Sequence, residues 1–184
     1  PGSTLTAEQA IYALVTKSAN DVASAVGEHL GGDEERFAQL MTLRARAIGM
    51  TRTTFRNASG LPDPNNVTTA RDMATLGLRL IRDFPNRYHY FGTVQFAWGR
   101  QMIRNHNRMV GDYEGADGIK TGFIRDSGFN IVTSAMRDGV RLVGVTMGGA
   151  SWVERDRHMG ALLDQGFAQD GVAPRPPSSQ RWPA

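Results

Sequence analysis

Two short motifs in this chain combine residue types that can serve acyl transfer. The first is Lys120-Thr121-Gly122, and the second is Ser18-Ala19-Asn20. A lysine, a hydroxyl and a glycine ahead of a strand-like segment are typical of the substrate edge in enzymes with an active-site serine. Either triplet alone arises by chance in many proteins, so the pairing of the two carries more weight than each motif.

The lysine content limits this chemistry. Only two lysines occur, and the residues three positions before them are Leu14 and Asp117 rather than serine. A Ser-x-x-Lys motif, which carries the nucleophile in such enzymes, is therefore not in this sequence. We expect that motif in an N-terminal segment outside the sequence, and we expect this chain alone to be inactive.

The segment around Ser18 is predicted to join two helices. Thr6 and Gln9 have the spacing of a capping box, which starts a helix. Apolar residues then keep helical spacing on both sides of a polar interruption at 16–21. We therefore expect Ser18 and Asn20 at a helix–helix junction.

Two further helices and a loop are predicted before residue 85. An amphipathic pattern indicates a helix over 34–48, ended by Gly49. Thr69 predicts the cap of another helix that extends to about Phe84. The turn-forming residues at 51–66 predict a loop between these helices.

The second half is predicted to be mainly β-structure. Aromatic and β-branched runs between 88 and 110, including Tyr90-Phe91, favour short strands or a hairpin. Asp138-Gly139 between two β-rich runs predicts a hairpin turn. Helices followed by a sheet and a closing helix indicate the α+β class. In chain order we expect antiparallel strands at 120–124, 129–135 and 141–147, then a helix at 153–167.

Several segments that flank the motifs match one enzyme family over about residues 1–167. They are 14–21, 57–62, 105–108, 115–122, 127–130 and 137–142. With these flanks the chain resembles the low-molecular-mass D-alanyl-D-alanine carboxypeptidases, which are penicillin-binding proteins of serine peptidase family S11. The resemblance implies the serine β-lactamase/D,D-peptidase-like fold, an antiparallel sheet packed with helices, with its N-terminal part missing here.

The resemblance also implies a reaction and its ligands. A serine would attack the bond between two D-alanines at the end of a peptidoglycan stem peptide and form an acyl-enzyme. β-Lactam antibiotics would bind the same site. Ser18 would relay a proton to the leaving amine, and Asn20 would hydrogen-bond the nucleophile motif's lysine and a substrate amide. The remaining partner would be the chain's own N-terminal segment.

The predicted strand that carries Lys120-Thr121-Gly122 has implied roles as well. Lys120 and Thr121 would bind the substrate carboxylate, and Gly122 would let the substrate lie alongside as an added strand. The Phe123 N–H would be an oxyanion-hole donor. Arg155 matches an arginine that the family places near the substrate carboxylate.

Each assignment has a simpler alternative. Ser18 and Asn20 could cap a helix, Lys120 could be a solubilising edge-strand lysine, and Arg155 could be a solvated charge at a helix start. For the whole chain, the alternatives are a non-catalytic module that binds peptidoglycan or penicillin, a related β-lactamase, or a D,D-endopeptidase.

Departures from related patterns bear on these alternatives. Ile124 stands where the carboxypeptidases often carry threonine, which puts fine specificity in doubt. Ala19 stands where class A β-lactamases usually carry aspartate, and no Glu-x-x-x-Asn motif for deacylation is recognisable. The last two features count against a lactamase.

Composition excludes several other classes. The net charge is +3 and the nineteen arginines are scattered, so we expect no nucleic-acid partner. Cysteine is absent and the four histidines lack ligand spacing, so we expect neither a metal nor a cofactor. No apolar run approaches 18 residues. The family resemblance implies the bacterial periplasm or the outer face of the cytoplasmic membrane.

The domain organisation is predicted to be simple. Residues 1–169 would form the C-terminal portion of a catalytic domain. Residues 170–184 hold four of the eight prolines and show no periodicity, which predicts a linker or tail.

Overall fold

A computed structural model describes residues 2–175 of the chain. Its N-terminal helices form the predicted junction. The Thr6 side chain accepts a hydrogen bond from the Gln9 N–H, and the Gln9 side chain accepts one from the Thr6 N–H, which completes the predicted capping box. In chain order the elements are α1 (Ala7–Tyr12), a π-helical turn (Ala13–Lys17) and α2 (Asn20–Gly31).

The next two helices are also confirmed. Helix α3 covers Glu34–Ala47 and helix α4 covers Ala70–Asp83, the latter with Thr69 as its N-cap. The segment between them is the predicted loop, with one antiparallel bridge between Thr54 and Val67.

A buried carboxylate ties this loop to α4. Asp72 Oδ2 accepts hydrogen bonds from the Arg52 N–H at 2.8 Å and the Thr53 hydroxyl at 2.6 Å. The Thr53 hydrogen bond is the main reason that the pKa of Asp72 lies below its usual value. The loop is thereby held against α4, and its later residues can serve as a fixed wall.

The aromatic region after α4 differs in part from the prediction. Tyr90-Phe91 lies in a 3₁₀-helix (Tyr88–Gly92), so the predicted strand there is wrong. In a 3₁₀-helix side chains three apart share a face, and Tyr88 and Phe91 pack side by side with ring centroids 5.5 Å apart. The hairpin that follows is confirmed, with β1 at Gln95–Trp98 and β2 at Gln101–Arg104.

A three-stranded antiparallel sheet forms the second half, as predicted. The turn at Asp138-Gly139 has φ of 49° and 78°, the positive values that a type I′ hairpin turn requires. The three strands pair in chain order, so the first of them is an edge strand. After the short helix α5 (Met109–Asp112), the strands are β3 (Ala116–Ile124), β4 (Gly128–Arg137) and β5 (Val140–Gly149).

The sheet is covered by one helix on each face. Helix α6 (Trp152–Gln169) packs on one face, where Ile131 and Ala135 meet Met159, Leu163 and Phe167. Helix α4 packs on the other face, with Tyr88, Ile119 and Val132 at the centre of the contact. Three layers of helix, sheet and helix confirm the α+β class. Within residues 2–175 no helix is long and apolar enough to cross a membrane.

The chain beyond α6 stays in contact with these layers. Val172 is buried in the core on the α6 face, and the Arg175 guanidinium pairs with Glu114 and Asp138. The remainder of the predicted tail lies outside the described residues. The division into 1–169 and 170–184 stays a prediction.

Candidate active site

A cleft of about 1080 Å³ opens where the α1–α2 junction faces strand β3. The loop between α3 and α4 and the segment after β2 form its other walls. All the predicted site residues line it, namely Ser18, Asn20, Lys120, Thr121, Gly122, Phe123 and Arg155.

Ser18 and Lys120 meet directly across this cleft. The Lys120 Nζ donates to the Ser18 Oγ at 3.0 Å and to the Thr121 carbonyl oxygen at 2.6 Å. The two motifs, 102 residues apart in the chain, therefore share one site.

The backbone at the junction explains how Ser18 reaches the cleft. Ser18 follows the π-helical turn in the left-handed conformation, with φ of 58° and ψ of 46°. Ala19 is the N-cap of α2 and provides no side-chain hydrogen bond, while within the first turn the Asp21 carboxylate accepts from the Val22 N–H at 2.9 Å. The alternative in which Ser18 caps a helix is therefore wrong, since its hydroxyl is paired with Lys120 instead.

The environment of Lys120 disfavours its charged form. Burial, and then the positive charge of Arg155, lowers the pKa of Lys120 to about 8. His106 lines the same cleft, and its pKa is lowered by burial and by the charges of Lys120 and Lys17. Lys120 is thus not the solvated edge lysine of the alternative interpretation.

Strand β3 is fixed from behind by a charged network. Asp117 forms an ion pair with Arg141 at 2.9 Å and accepts a hydrogen bond from the Tyr88 hydroxyl at 3.3 Å. Burial raises the pKa of Tyr88, which keeps this hydroxyl a donor. Asp117 lies three residues before Lys120 in the same strand. The network therefore fixes the start of the strand that carries Lys120.

The outer half of β3 is open to the cleft. A side chain added at Gly122 would meet no heavy atom of the described residues within 4 Å, so packing inside the protein does not require glycine there. The Phe123 side chain is 58% exposed and rests against Phe129, with ring centroids 4.3 Å apart. Gly122 therefore keeps the strand surface free on the side of the cleft.

Arg155 is a buried residue rather than a solvated one. Its Nε and Nη2 atoms each lie 2.8 Å from Asp156 Oδ1, and its Nη1 approaches the Asn130 carbonyl oxygen at 3.4 Å. Asp156 is fully buried and its pKa is raised, mainly by burial. Helix α6 thus places one fixed guanidinium at the cleft, close enough to lower the pKa of Lys120.

Sequence reasoning assigned no role to the asparagines after β2. Asn105 donates to the Thr93 carbonyl oxygen at 2.8 Å and accepts from the Asn107 N–H at 2.8 Å, which closes the hairpin. Asn107 lines the cleft and is 2% exposed, and its side-chain amide has no hydrogen-bond partner among the described residues. The run Asn-His-Asn-Arg in the sequence was the available signal, but spacing alone does not reveal which amide is buried.

The sequence matches the profile of the D-alanyl-D-alanine carboxypeptidase family, Peptidase S11, over residues 1–151. The chain therefore belongs to that family, as the resemblance predicted. DacA of Haemophilus influenzae, a D-alanyl-D-alanine carboxypeptidase, is 34% identical over 157 residues. The match covers 84% of this chain and 40% of DacA, so the chain spans less than half of that relative.

Solved structures agree with the predicted fold. Penicillin-binding protein 5 from Haemophilus influenzae superposes with a TM-score of 0.86 at 32% identity, over 90% of this chain and 49% of that one. Penicillin-binding protein D2 from Listeria monocytogenes, in an ampicillin-bound form, has a TM-score of 0.80 at 28% identity. That match covers 87% of this chain and 67% of the Listeria protein. The serine β-lactamase/D,D-peptidase-like fold predicted from the motifs is confirmed.

Proposed function

We propose that this chain is the substrate-binding part of a serine-type D-alanyl-D-alanine carboxypeptidase that trims peptidoglycan stem peptides. The observation that best supports this proposal is the 3.0 Å hydrogen bond from Lys120 Nζ to Ser18 Oγ inside the cleft. In this proposal the nucleophile comes from a Ser-x-x-Lys segment outside the sequence, and the protein works in the periplasm or on the outer face of the cytoplasmic membrane.

The cationic side of the cleft suits the free carboxylate of a terminal D-alanine. Lys120 and Arg155 bring two positive groups close enough to influence each other, and Thr121 adds a hydroxyl beside them. Charge-assisted hydrogen bonds to a carboxylate are about twice as strong as neutral ones. A peptide with a blocked C-terminus would lose these contacts, which is the basis of carboxypeptidase selectivity in this proposal.

The open half of β3 suits the peptide backbone. An extended peptide can add to a free strand edge through main-chain hydrogen bonds, and Gly122 leaves the room for it. The Phe123 N–H, the next donor along the strand, would then stabilise the oxyanion that develops on the scissile carbonyl.

Ser18 is suited to proton transfer. Its hydroxyl touches Lys120, whose lowered pKa makes proton exchange near neutral pH accessible. In the proposed reaction Ser18 passes the proton to the leaving D-alanine amine. Asn20, at the start of α2, would hydrogen-bond the lysine of the nucleophile motif and a substrate amide.

The cleft is large enough to hold the end of a stem peptide or a β-lactam. Ligand pockets usually measure about 300–1,000 Å³, and this cleft reaches about 1080 Å³. β-Lactams would react with the same nucleophile, in keeping with the ampicillin-bound form of the Listeria relative.

Labelling with a fluorescent penicillin tests the proposal. The chain is joined at its N-terminus to the Ser-x-x-Lys-bearing part of DacA, and labelling is followed on a gel and by mass. We expect one penicilloyl adduct on the joined protein, and release of D-alanine from a peptide ending in D-alanyl-D-alanine. Lys120→Ala should reduce labelling at least about 100-fold, because it removes a carboxylate contact and a proton-transfer partner.

The controls separate the alternatives. Lys17→Ala removes the other lysine of the cleft and should leave labelling nearly unchanged. A joined protein that folds and binds the peptide but forms no adduct would favour the non-catalytic binding module. An adduct that hydrolyses within seconds would favour a β-lactamase.

A further inference from the structure

We infer that Ser18 and Lys120 form a serine–lysine nucleophile pair of their own, which lets this chain react with activated acyl compounds without any other segment. This activity is separate from the proposed carboxypeptidase reaction and does not depend on it. Ser18 would be the nucleophile and Lys120 its general base.

The contact distance fits such a pair. A nucleophilic serine needs a base within about 2.6–3.2 Å of its oxygen, and the Lys120 Nζ lies 3.0 Å from Ser18 Oγ. Lysine serves as the base of serine in several hydrolases in which no histidine takes part. Both side chains line the cleft, so an acyl group can reach the serine.

The surroundings of Lys120 supply the neutral amine that a base requires. A lysine with the ordinary pKa of about 10.4 is almost entirely charged at pH 7, whereas a pKa of about 8 leaves about a tenth of it neutral. The charged groups around the pair are the Arg155 guanidinium on α6 and Lys17 at the junction, with His106 after β2. Arg155 disfavours a second positive charge, and burial does the same.

The backbone of Ser18 has the features of a nucleophile turn. A non-glycine residue with φ of 58° is strained, and such strain persists mainly at functional sites. Nucleophilic serines on sharp turns before a helix have their hydroxyl held out toward the substrate. Ser18 stands at such a turn, because helix α2 begins two residues later.

Other cleft serines lack this combination. Ser59 Oγ contacts the Asn57 side chain and accepts from the Leu61 N–H, and Ser127 Oγ contacts Asn130 and the Gly128 carbonyl oxygen. Neither hydroxyl is hydrogen-bonded to a lysine. Within the described part of the chain, labelling is therefore expected at Ser18 and not at these two residues.

The reaction is a simple acyl transfer. The Ser18 Oγ forms a bond to the carbonyl carbon of an aryl ester, and its proton passes to the neutral Nζ of Lys120. The bond to the phenol oxygen breaks, and the Lys120 ammonium can return the proton to that oxygen. Water then attacks the acyl-serine with Lys120 again as base, which releases the carboxylic acid and restores the hydroxyl.

A fluorophosphonate probe tests this inference on the chain as it stands. The Oγ–phosphorus bond forms, fluoride leaves, and the adduct stays on the serine, where mass spectrometry of the digested protein locates it. We expect one adduct on Ser18, with a rate that rises with pH and levels off above about 8. Lys120→Met and Lys120→Arg should each slow labelling at least about 100-fold, because neither side chain can act as the base.

Ser59→Ala is the matched control, since it removes another cleft hydroxyl and should leave the rate unchanged. Ser18→Ala and Ser18→Gly should both abolish the adduct, and glycine also relieves the positive φ, so a folding defect in one variant does not hide the result. The inference is overturned if the intact chain gains no adduct, gains it elsewhere, or reacts equally fast in Lys120→Met. Failure of this inference is distinguishable from failure of the proposed function, because the penicilloyl adduct of the joined protein lies on the other segment.

Discussion

Lys120 combines features that the sequence and the structure reveal separately. The motif around it led to the prediction of a site role for this residue, which stays a prediction. Its contact with Ser18 and its lowered pKa could not be predicted, because both depend on the depth of the cleft and on a guanidinium 35 positions away. The same holds for Arg155, whose burial against Asp156 has no signature in the spacing of residues.

The lowered pKa of Lys120 predicts a pH-dependent contribution to stability. Below pH 8 the lysine is charged in both the folded and the unfolded state, and the folded state bears the cost of burying the charge. Between pH 8 and 10.5 the folded state releases the proton while the unfolded state keeps it, so folding becomes more favourable. The free energy of unfolding of the wild-type chain should therefore rise relative to Lys120→Met, by on the order of 2 kcal/mol.

Urea denaturation at several pH values between 7 and 10.5 measures this difference. Lys17→Met removes the exposed lysine of the same cleft, and the contribution of Lys120 is the part that exceeds this control. A difference between wild type and Lys120→Met that stays constant across the interval would show that the amine is not held out of water.

The region from the 3₁₀-helix to the β4–β5 turn shows which element boundaries sequence patterns capture. The hairpin turn at Asp138-Gly139 was predictable because a turn of this type needs residues that tolerate positive φ. The 3₁₀-helix at Tyr88–Gly92 was not predictable, because aromatic pairs favour strands on average and only the packing of Tyr88 beneath the sheet decides otherwise.

Two glycines in this region should respond differently to alanine. Both glycines have positive φ, 89° for Gly115 and 78° for Gly139. Alanine at either position should therefore lower the free energy of unfolding by about 1–2 kcal/mol through backbone strain. An added Cβ at Gly115 would also overlap the Met136 carbonyl oxygen, whereas at Gly139 it would meet nothing within 4 Å. Gly115→Ala should therefore destabilise the chain by about 1–3 kcal/mol more than Gly139→Ala.

The midpoints of urea denaturation for the two variants decide this point, since Gly139→Ala carries the shared strain and serves as the control. Equal midpoints would mean that the backbone around Gly115 and Met136 moves aside at little cost.

The whole molecule depends on both faces of its sheet being covered. α4 covers one face, and α6 with the segment after it covers the other. The α+β class followed from the order of predicted elements, but the docking of the segment beyond α6 did not. Val172 follows a glycine and precedes an alanine and several prolines, a pattern without the periodicity from which its burial could be inferred.

The position of Val172 predicts that a chain ending at Gln169 is less stable than one ending at Arg175. Loss of a buried valine costs about 2 kcal/mol, which corresponds to about 4–8 °C in Tm for a chain of this size. Thermal unfolding followed by circular dichroism measures the shift, and Arg175→Ala controls for the ion pairs, which contribute at most about 1 kcal/mol. Identical Tm values would support a domain boundary directly after residue 169.

The open half of β3 has a consequence for the behaviour of the protein at high concentration. A strand edge that accepts a peptide backbone cannot distinguish a substrate from the edge of another copy of the chain, because main-chain hydrogen bonds carry little sequence information. The usual protections of an edge, such as proline or an outward lysine, would block the peptide too. The 3₁₀-helix shields only the first part of β3, where a Cβ on Gly92 would stand 3.2 Å from the Asp117 carbonyl oxygen. Under the proposed function, peptide access therefore conflicts with protection against aggregation along the few residues from Thr121 to Ile124.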